Sequence, residues 1–247
     1  MENIIAHRGA SKEAPENTIA SINRALDLGA NFIEIDVRLS KDRIPVVIHD
    51  PSPARMIGVK SAPAVNQMTL AEIQQFDIGK LFGKAFIGEK IPTLLDVLNL
   101  NWKKTGLMIE IKKSVQQPKV VVKAVFEVLA QTSLPLPFII IGSFSPEIIS
   151  EAKNSLDQIN QPIELIGIAE KPDMIDAFIE LDIKRLALWY KLISPELINY
   201  LEENGIDIWS FTIDDLKTAQ FLISLGVNGI ISNDPQAMIE SKSLNIH

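Results

Sequence analysis

The sequence predicts a (β/α)₈ TIM barrel, in which eight parallel strands alternate with eight helices around one core. Short β-rich apolar runs alternate with longer stretches of helical period, and eight such strand–helix units can be counted. The chain has 247 residues, and one barrel of this class takes about 250 residues. A doubly wound open sheet remains the alternative, because periodicity does not show whether a sheet closes on itself.

The predicted strands are short and apolar. They are Ile4–His7, Phe32–Val37, Leu107–Ile111, Phe138–Ile141, Glu164–Ile168, Arg185–Leu188, Asp207–Phe211 and Gly229–Ile231. The predicted helices are Glu16–Leu28, Leu94–Lys103, Lys119–Gln131, Pro146–Leu156, Pro172–Leu181, Pro195–Asn204, Asp214–Leu225 and Pro235–Lys242. Ser145, Ser194 and Asp234 each precede a proline, which is typical of a capped helix start.

One further β-type run, Ile44–His49, breaks the alternation. Only residues 40–43 separate it from the second strand, and a parallel connection needs a dozen or more residues. The run is therefore predicted to return antiparallel, as a hairpin. With a two-residue turn at 42–43, Asp36 is expected to lie opposite His49.

The stretch 51–92 is predicted to be a small insertion after this hairpin. It contains four prolines and one short helical piece at Thr69–Phe76. An insertion after an early strand is expected over the mouth of the barrel, where barrel enzymes carry their specificity elements. No linker or internal repeat is evident, so we expect a single domain over residues 1–247.

The composition is that of an ordinary globular protein, with 47% hydrophobic and 22% charged residues. The net charge of −7 disfavours nucleic acid or an anionic membrane as the principal partner. The absence of cysteine excludes disulfides and thiolate chemistry. The segment before His7 is too short for a signal peptide, and no apolar run approaches the roughly 18 residues of a membrane span. We therefore expect a cytoplasmic protein.

Acidic residues gather at the predicted carboxyl ends of the second and third barrel strands. Glu34 and Asp36 are two apart and so face the same side of their strand, and Glu110 lies near the end of the next one. Three carboxylates in one region repel each other, and a hard divalent cation resolves this repulsion most simply. We expect Mg²⁺ or Ca²⁺ rather than zinc, which prefers cysteine or several histidines.

Basic side chains and two histidines accompany these carboxylates. Arg8 follows the first strand and Lys112 follows the third. A metal, an arginine fork and a lysine together indicate a phosphoryl site. His7 and His49 titrate near neutral pH and can supply the acid and the base that phosphodiester cleavage needs. His247, the last residue, is expected to lie in a frayed terminus.

Seven sequence motifs occur in order over nearly the whole chain. They are AHRGASKEAPENT at Ala6–Thr18, EIDVRLSKDRIPVVIHD at Glu34–Asp50, TLAEIQQFDIG at Thr69–Gly79, IPTLLDVL at Ile91–Leu98, EIK at Glu110–Lys112, GSFSPEII at Gly142–Ile149 and NGIISNDP at Asn228–Pro235. Together they resemble the glycerophosphodiester phosphodiesterase family. Their extent makes this resemblance more specific than any single short motif.

The resemblance implies a (β/α)₈ barrel that cleaves glycerophosphodiesters to sn-glycerol 3-phosphate and an alcohol. The residue roles that it implies are an acid–base pair, His7 and His49; metal ligands, Glu34, Asp36 and Glu110; and phosphate-binding residues, Arg8 and Lys112. Family members are often described as using the neighbouring glycerol hydroxyl as nucleophile, through a cyclic phosphate that water opens. In that scheme His49 is expected to be the first base and His7 the acid. Asn17 is expected to order a loop or to cap the first helix.

The sequence departs from the family pattern on the expected leaving-group side. PSPARMIG at 51–58 replaces a Leu-x-Arg-Thr-Thr-like stretch, and Phe211–Asp214 replaces the usual Trp-Thr-Val-Asn. The family's Thr-Asp near the last strand is here Ser232-Asn233. Phe211 and Trp189 are expected to line the alcohol pocket or to stack on the glycerol.

Other functions stay open at this point. A lysophospholipase D, or a lyase that stops at the cyclic phosphate, could use the same acid, base and metal. A silent barrel acting as a binding module would have lost a histidine or a metal ligand, and a metal-independent phospholipase C-like barrel would lack the three carboxylates. The expected partner is a small glycerophosphodiester of choline, ethanolamine, glycerol or inositol. The oligomeric state is not predicted.

Overall fold

The computed structural model describes residues 3–131, 139–156 and 163–244. The strands in this part of the chain are β1 (Asn3–His7), β2 (Phe32–Leu39), β3 (Pro45–Val47), β4 (Gly106–Ile111), β5 (Ile139–Ser143), β6 (Ile163–Ala169), β7 (Arg185–Trp189), β8 (Asp207–Phe211) and β9 (Gly229–Ser232). All of them belong to one sheet.

The α-helices of the described residues lie mainly between successive strands. They are α1 (Ile19–Leu28), α2 (Ala54–Ile57), α3 (Leu70–Ile73), α4 (Leu94–Leu98), α5 (Pro118–Gln131), α6 (Pro146–Ser155), α7 (Pro172–Glu180), α8 (Pro195–Glu203), α9 (Leu216–Ser224) and α10 (Pro235–Leu244). None of these described helices has the length and apolar character that a bilayer crossing requires.

Parallel strands close the sheet into a barrel in the order β1, β2, β4, β5, β6, β7, β8, β9. The last strand returns to the first, where Asn3 lies opposite Gly229, and β1 also pairs with β2, where Ile5 lies opposite Phe32. The predicted (β/α)₈ barrel is therefore confirmed. The open sheet is wrong, because an open sheet would leave β1 or β9 with a free edge.

The barrel interior is a packed core and not a channel. Its buried apolar residues are Ile5, Met108, Ile140, Ile166, Ile168, Ala187, Trp209 and Ile231. At the amino ends of the strands Arg185 stacks over Trp209, 4.9 Å from the ring centroid, and pairs with Glu164 and Asp207 at 2.5 Å each. Arg185 and its two ion pairs occupy this end, and sites for chemistry in barrels of this class lie at the opposite, carboxyl-terminal end.

The helices begin largely where their capping residues predict. Ser145 accepts a hydrogen bond from the Ile148 amide and Ser194 caps α8 in the same way. The first helix begins later than predicted, at Ile19 rather than Glu16, because Thr18 is its capping residue.

The fourth helix is much shorter than the predicted Leu94–Lys103. It ends at Leu98. The indole of Trp102 donates to the Val97 carbonyl at 3.0 Å and so takes an acceptor that a longer helix would use. Lys103 has a φ of 50°, which lies in the left-handed region and is incompatible with a continuing helix.

The hairpin formed by β2 and β3 is antiparallel as predicted, but its register differs by one residue. The Ile48 amide donates to the Asp36 carbonyl at 2.9 Å, so Ile48 and not His49 lies opposite Asp36. The turn holds three residues, 41–43, because Arg43 has a φ of 62°. A left-handed residue at this position is typical of three-residue hairpin loops.

The insertion between β3 and α4 has a small core of its own. It contains α2, α3 and 3₁₀ turns at Val65–Gln67 and Lys84–Phe86. The apolar residues that pack together here are Val46, Ile48, Met56, Val65, Met68, Ile73, Ile78 and Ile91. Because two of them come from the hairpin, the insertion is anchored beside the carboxyl end of the barrel. The predicted helical piece Thr69–Phe76 shortens to α3, with Thr69 as its cap, and α2 was not predicted.

Two predictions fall outside the residues that the structure describes. These are Phe138, the first residue of the predicted fifth strand, and His247 at the terminus. The fifth strand itself is present from Ile139.

Candidate active site

The carboxyl ends of β1, β2 and β4 bring the predicted chemical residues to one edge of the barrel mouth. His7 lies opposite Glu34 in the ladder between β1 and β2, and Asp36 lies opposite Glu110 between β2 and β4. A cavity of about 170 Å³ opens above them. The ionisable residues that line it are His7, Arg8, Glu34, His49, Glu110 and Lys112.

His49 reaches this cavity despite the register difference in the hairpin. In a continuing strand, side chains alternate between the two faces of the sheet, and His49 would point away from the cavity. The strand β3 ends at Val47, so this alternation does not apply to His49. Its backbone carbonyl accepts a hydrogen bond from Arg38 Nε at 2.7 Å. The position of His49 is therefore set by its loop and by Arg38 rather than by strand pairing.

Three buried carboxylates converge below the cavity. Glu34, Asp36 and Glu110 each offer one oxygen, and these oxygens lie within 4.8 Å of one another. Lys112 Nζ lies 2.5 Å from Glu110 and 3.1 Å from Asp36. Arg8 Nε lies 3.2 Å from Asp36. Two positive side chains thus partly balance three acidic ones.

The charges of this cluster favour a bound cation. Burial raises the pKa of Glu34 well above its ordinary value, and the charges of Asp36 and Glu110 add to the effect. Burial also raises the pKa of Glu110 to about 7, against the attraction of Lys112. For Asp36 burial acts in the same direction, but Lys112 and Arg8 outweigh it and hold the pKa below its ordinary value.

An unpartnered oxygen supports a metal ligand set. The Glu34 Oε2 atom accepts a hydrogen bond from the Arg8 amide at 2.9 Å, whereas the buried Oε1 atom has no hydrogen-bond partner among the described residues. Buried polar atoms without a partner are rare in folded proteins. A divalent ion with oxygen ligands would satisfy this atom and lower the pKa values of Glu34 and Glu110 together.

Asn17 holds Asp36 in place, which the sequence did not resolve. Its side-chain amide donates to Asp36 Oδ2 at 2.7 Å, and its carbonyl oxygen accepts from the Asp36 backbone amide at 3.1 Å. Asn17 is buried and has a φ of 59°, a conformation that Asn tolerates better than most residues. Thr18 is the helix cap, so the capping role considered for Asn17 is wrong.

Asn233, which directly follows β9, orients the His7 ring. Its Nδ1 lies 2.7 Å from Asn233 Oδ1. The Asn233 amide nitrogen donates to Asp214 Oδ2 at 2.7 Å, so the Asn233 oxygen is the group that faces the ring. The neutral imidazole therefore carries its proton on Nδ1 and presents Nε2, which lies 3.9 Å from Glu34 Oε2. Burial and Arg8 lower the pKa of His7 to about 4.

His49 has a carboxylate partner instead. Its Nδ1 lies 2.8 Å from Asp50 Oδ1, so Nδ1 donates, and no hydrogen bond joins Nε2 to a residue in the described part of the chain. Burial lowers the pKa of His49, and the carboxylates of Asp36 and Asp50 oppose the shift. An imidazole backed by a carboxylate is suited to accept a proton, because the carboxylate stabilises the imidazolium that forms.

Residues 7–237, which contain all of these groups, match the glycerophosphoryl diester phosphodiesterase family. The chain belongs to this family. It is therefore an enzyme, a phosphoric diester hydrolase, and the resemblance given by the sequence motifs is confirmed. The catalytically silent barrel that the sequence left open is disfavoured, since the two histidines and three carboxylates share one site.

Relatives of this glycerophosphoryl diester phosphodiesterase match it over most of its length. A glycerophosphodiester phosphodiesterase of Caldanaerobacter subterraneus subsp. tengcongensis is 35% identical and covers 96% of each chain. One from Bacillus subtilis is 31% identical over 94% of this chain and 83% of its own. A phosphodiesterase of Oleispira antarctica, solved in complex with the product sn-glycerol-3-phosphate, has a TM-score of 0.88 at 29% identity, covering 98% of this chain and 97% of that chain.

An arginine in the insertion bridges two sides of the phosphodiesterase site. Arg55 Nε donates to Asp50 Oδ2 at 2.7 Å, and its two terminal nitrogens donate to Glu16 at 2.7 and 3.0 Å. Glu16 in turn accepts from Arg8 Nη1 at 2.9 Å. Contacts therefore run from His49 through Asp50, Arg55 and Glu16 to Arg8.

The two aromatic residues predicted for the phosphodiesterase pocket occupy different places. Phe211 lines the cavity and packs edge to face on Phe144, with 5.8 Å between ring centroids. Trp189 does not line it, but lies in a neighbouring cleft of about 410 Å³ that shares Phe211 and Thr212 with the cavity. Lys191 Nζ lies 5.0 Å from the Trp189 ring centroid.

Sequence reasoning missed the residues that support this phosphodiesterase site. They are Glu16, Asp50, Arg55, Asp214 and Asn233. Two of them had a detectable signal, because Asp50 directly follows His49 and Arg55 is the one arginine of the altered PSPARMIG stretch. The other three lie in motifs already quoted, but their contacts join residues 8 to 226 positions apart, so no local pattern assigns them these roles.

Proposed function

We propose that this chain hydrolyses glycerophosphodiesters to sn-glycerol 3-phosphate and an alcohol, using a divalent metal and two histidines. The observation that carries the proposal is the convergence of His7 and His49 with the buried carboxylate cluster on one small cavity. Arg8 and Lys112, beside those carboxylates, supply positive charge for a phosphodiester.

Glu34, Asp36 and Glu110 would hold the metal. Their oxygen-only donor set suits Mg²⁺ or Ca²⁺, and the unpartnered Glu34 Oε1 supports a ligand role. When bound, the metal would act as a Lewis acid that polarises a phosphoryl oxygen and offsets the charge of the transition state. Asn17 would keep Asp36 directed at the metal through its two hydrogen bonds.

The protein's own groups would move the protons. His49 Nε2 would take a proton from the attacking glycerol hydroxyl, with Asp50 stabilising the charged ring. His7 Nε2 would protonate the leaving alkoxide. A bound phosphodiester places negative charge beside His7, which favours the protonated ring despite burial. Arg8 and Lys112 would bind the phosphate oxygens, and water would then open the cyclic phosphate.

Release of glycerol 3-phosphate tests this proposal. Purified protein is incubated with glycerophosphocholine, with EDTA or with added Mg²⁺ or Ca²⁺, and the product is followed through a coupled dehydrogenase. We expect release that EDTA abolishes and one of the two ions restores. The esters of ethanolamine, glycerol and inositol are assayed in the same way to rank the alcohols.

Three results would contradict parts of this proposal. Choline release from lysophosphatidylcholine, without turnover of glycerophosphocholine, would indicate a lysophospholipase D. A cyclic phosphate that accumulates in the ³¹P spectrum and is not opened would indicate a lyase. Full turnover in excess EDTA would remove the metal from the mechanism.

A further inference from the structure

The insertion presents an apolar patch to solvent, and its function is not explained by the catalytic site. Leu81 and Ile87 are each 61% exposed, Phe82 is 44% exposed and Val59 is 46% exposed. A Cβ built on Gly58 would lie 2.8 Å from the Leu81 side chain, so Leu81 lies against the backbone that directly precedes Val59. We name these four residues the insertion patch.

The exposure of the insertion patch does not result from a loose loop. Asp77 accepts hydrogen bonds from the amides of Gly79 (3.1 Å), Lys80 (3.0 Å) and Gly88 (2.9 Å). The Ile78 amide also donates to the Glu89 carbonyl at 3.0 Å. The backbone is therefore folded back on itself and fixed, and the fold turns Leu81, Phe82 and Ile87 outward.

Lysines flank the insertion patch in the sequence. Residues 77–90 contain three lysines against two acidic residues, Asp77 and Glu89, and Lys60 follows Val59 directly. All four lysines are exposed. The whole chain carries a net charge of −7, so this basic, apolar surface is opposite in sign to the protein as a whole.

We infer that the insertion patch docks this enzyme reversibly on an anionic lipid surface. Exposed apolar side chains enter the interface between headgroups and acyl chains, and flanking lysines are attracted to anionic headgroups. A symmetric dimer through the same patch is a poorer fit, because a two-fold axis would bring the lysines of one copy against those of the other. The net charge of the whole chain is acidic and disfavours anionic membranes. It is an average over the chain and does not describe this local surface.

The insertion patch is connected to the mouth of the cavity, so docking would affect the supply of substrate. Leu81 packs on Gly58, which ends α2, and Arg55 of α2 contacts Asp50 and Glu16 at the cavity mouth. Docking would hold the mouth near the lipid surface. If the proposed substrate class is correct, the supplying reaction is removal of both acyl chains from a glycerophospholipid, which also takes place at that surface. The docking inference itself does not depend on the substrate.

Vesicle co-sedimentation tests the inference without any assay of activity. The full chain is mixed with vesicles of phosphatidylcholine alone and with vesicles of equal parts phosphatidylcholine and phosphatidylglycerol, at low and high salt. We expect binding to the second kind, weakened by salt. Leu81→Ser combined with Ile87→Ser should reduce the affinity at least about tenfold, and Lys80→Glu combined with Lys84→Glu should abolish the preference for phosphatidylglycerol.

A matched control lies on α9, where Lys217 is exposed and Phe221 is 59% exposed. The variant with Lys217→Glu and Phe221→Ser makes the same chemical changes elsewhere and should bind vesicles like the unchanged chain. Absence of binding to both vesicles, or equal binding to both, would overturn the inference. The inference would also be overturned if sedimentation velocity without vesicles showed a dimer and Leu81→Ser dissociated it. The patch would then contact a second copy.

Discussion

Arg55 makes a two-pronged contact with Glu16, donating from one terminal nitrogen to each carboxylate oxygen at 2.7 and 3.0 Å. The two residues lie 39 positions apart in the sequence, one in the insertion and the other in the loop after β1. Hydrogen bonds and the positive charge of Arg55 lower the pKa of Glu16, although burial opposes them. This contact joins the loop that bears His49 to the loop that bears Arg8.

Replacing Arg55 should reduce turnover more than substrate binding. Arg55→Met removes the contacts to Asp50 and Glu16, and we expect kcat to fall by about tenfold to a hundredfold, as for other residues that orient catalytic groups. Arg55→Lys should recover little, because an ammonium group cannot make the two-pronged contact. Steady-state kinetics measure the effect. Arg24→Met, which breaks a similar pair with Glu13 outside the cavity, should leave kcat unchanged, and equal losses in both variants would contradict the orienting role.

Asn17 should determine metal affinity. Asn17→Gly removes both hydrogen bonds to Asp36 and is tolerated at a φ of 59°. We expect the affinity for the divalent ion to fall about 10- to 100-fold, measured by isothermal titration calorimetry. Asp182→Gly changes another residue of positive φ, 56°, outside the cavity, and serves as the control. An unchanged affinity in Asn17→Gly would show that Asp36 needs no support.

Metal binding should tighten as the pH rises. Burial raises the pKa of Glu110 to about 7 and also raises the pKa of Glu34. A divalent ion binds only the deprotonated carboxylates. Below neutral pH protons therefore compete with the metal, and affinity should fall by roughly tenfold per pH unit for each proton displaced. Titrations in buffers of different ionisation enthalpy detect the released protons. Glu110→Gln should weaken binding and flatten this dependence, and a constant affinity between about pH 5 and 8 would refute the assignment.

His49 should be essential for turnover and Asp50 should act through it. We expect His49→Ala to reduce kcat at least about a hundredfold and Asp50→Asn by a smaller factor. The double variant should be no worse than His49→Ala, because both changes remove one function. Thermal unfolding of each variant checks the fold. Additive losses in the double variant would mean that Asp50 contributes independently of His49.

Phe211 and Trp189 should affect different parts of the substrate. Phe211 lines the cavity, so Phe211→Ala should raise KM for every glycerophosphodiester. Trp189 lies in the neighbouring cleft, where a larger alcohol would extend, so Trp189→Ala should change KM for one headgroup by roughly tenfold. Kinetics on choline, glycerol and inositol esters distinguish the two. An equal effect of Trp189→Ala on all three esters would exclude contact with the alcohol.

The sequence predicted those parts of the enzyme that follow from local pattern. Strand and helix order follow from periodicity, and two carboxylates two positions apart on a strand must face one side. These rules predicted the barrel and the carboxylate cluster, whereas His49 reaches the cavity through its loop and not through the predicted strand pairing. They failed at the hairpin register, which depends on the backbone of a single residue, Arg43, and at α4, which ends where the Trp102 indole takes a helix acceptor.

The supporting contacts could not be predicted because they join residues that are distant in sequence. Arg55 and Glu16 meet through the fold of an insertion with little periodicity, and Asn233 reaches His7 only when the barrel closes. The single domain over residues 1–247, the cytoplasmic location, the lack of a nucleic-acid partner and the choice of Mg²⁺ or Ca²⁺ remain predictions.

The hydrogen bond between His7 and Asn233 spans 226 residues of sequence. His7 ends β1 and Asn233 directly follows β9, so this hydrogen bond crosses the seam at which the barrel closes. A barrel that has not closed therefore lacks the group that orients the His7 ring. Closure of the barrel and orientation of the proposed acid are coupled through this one hydrogen bond.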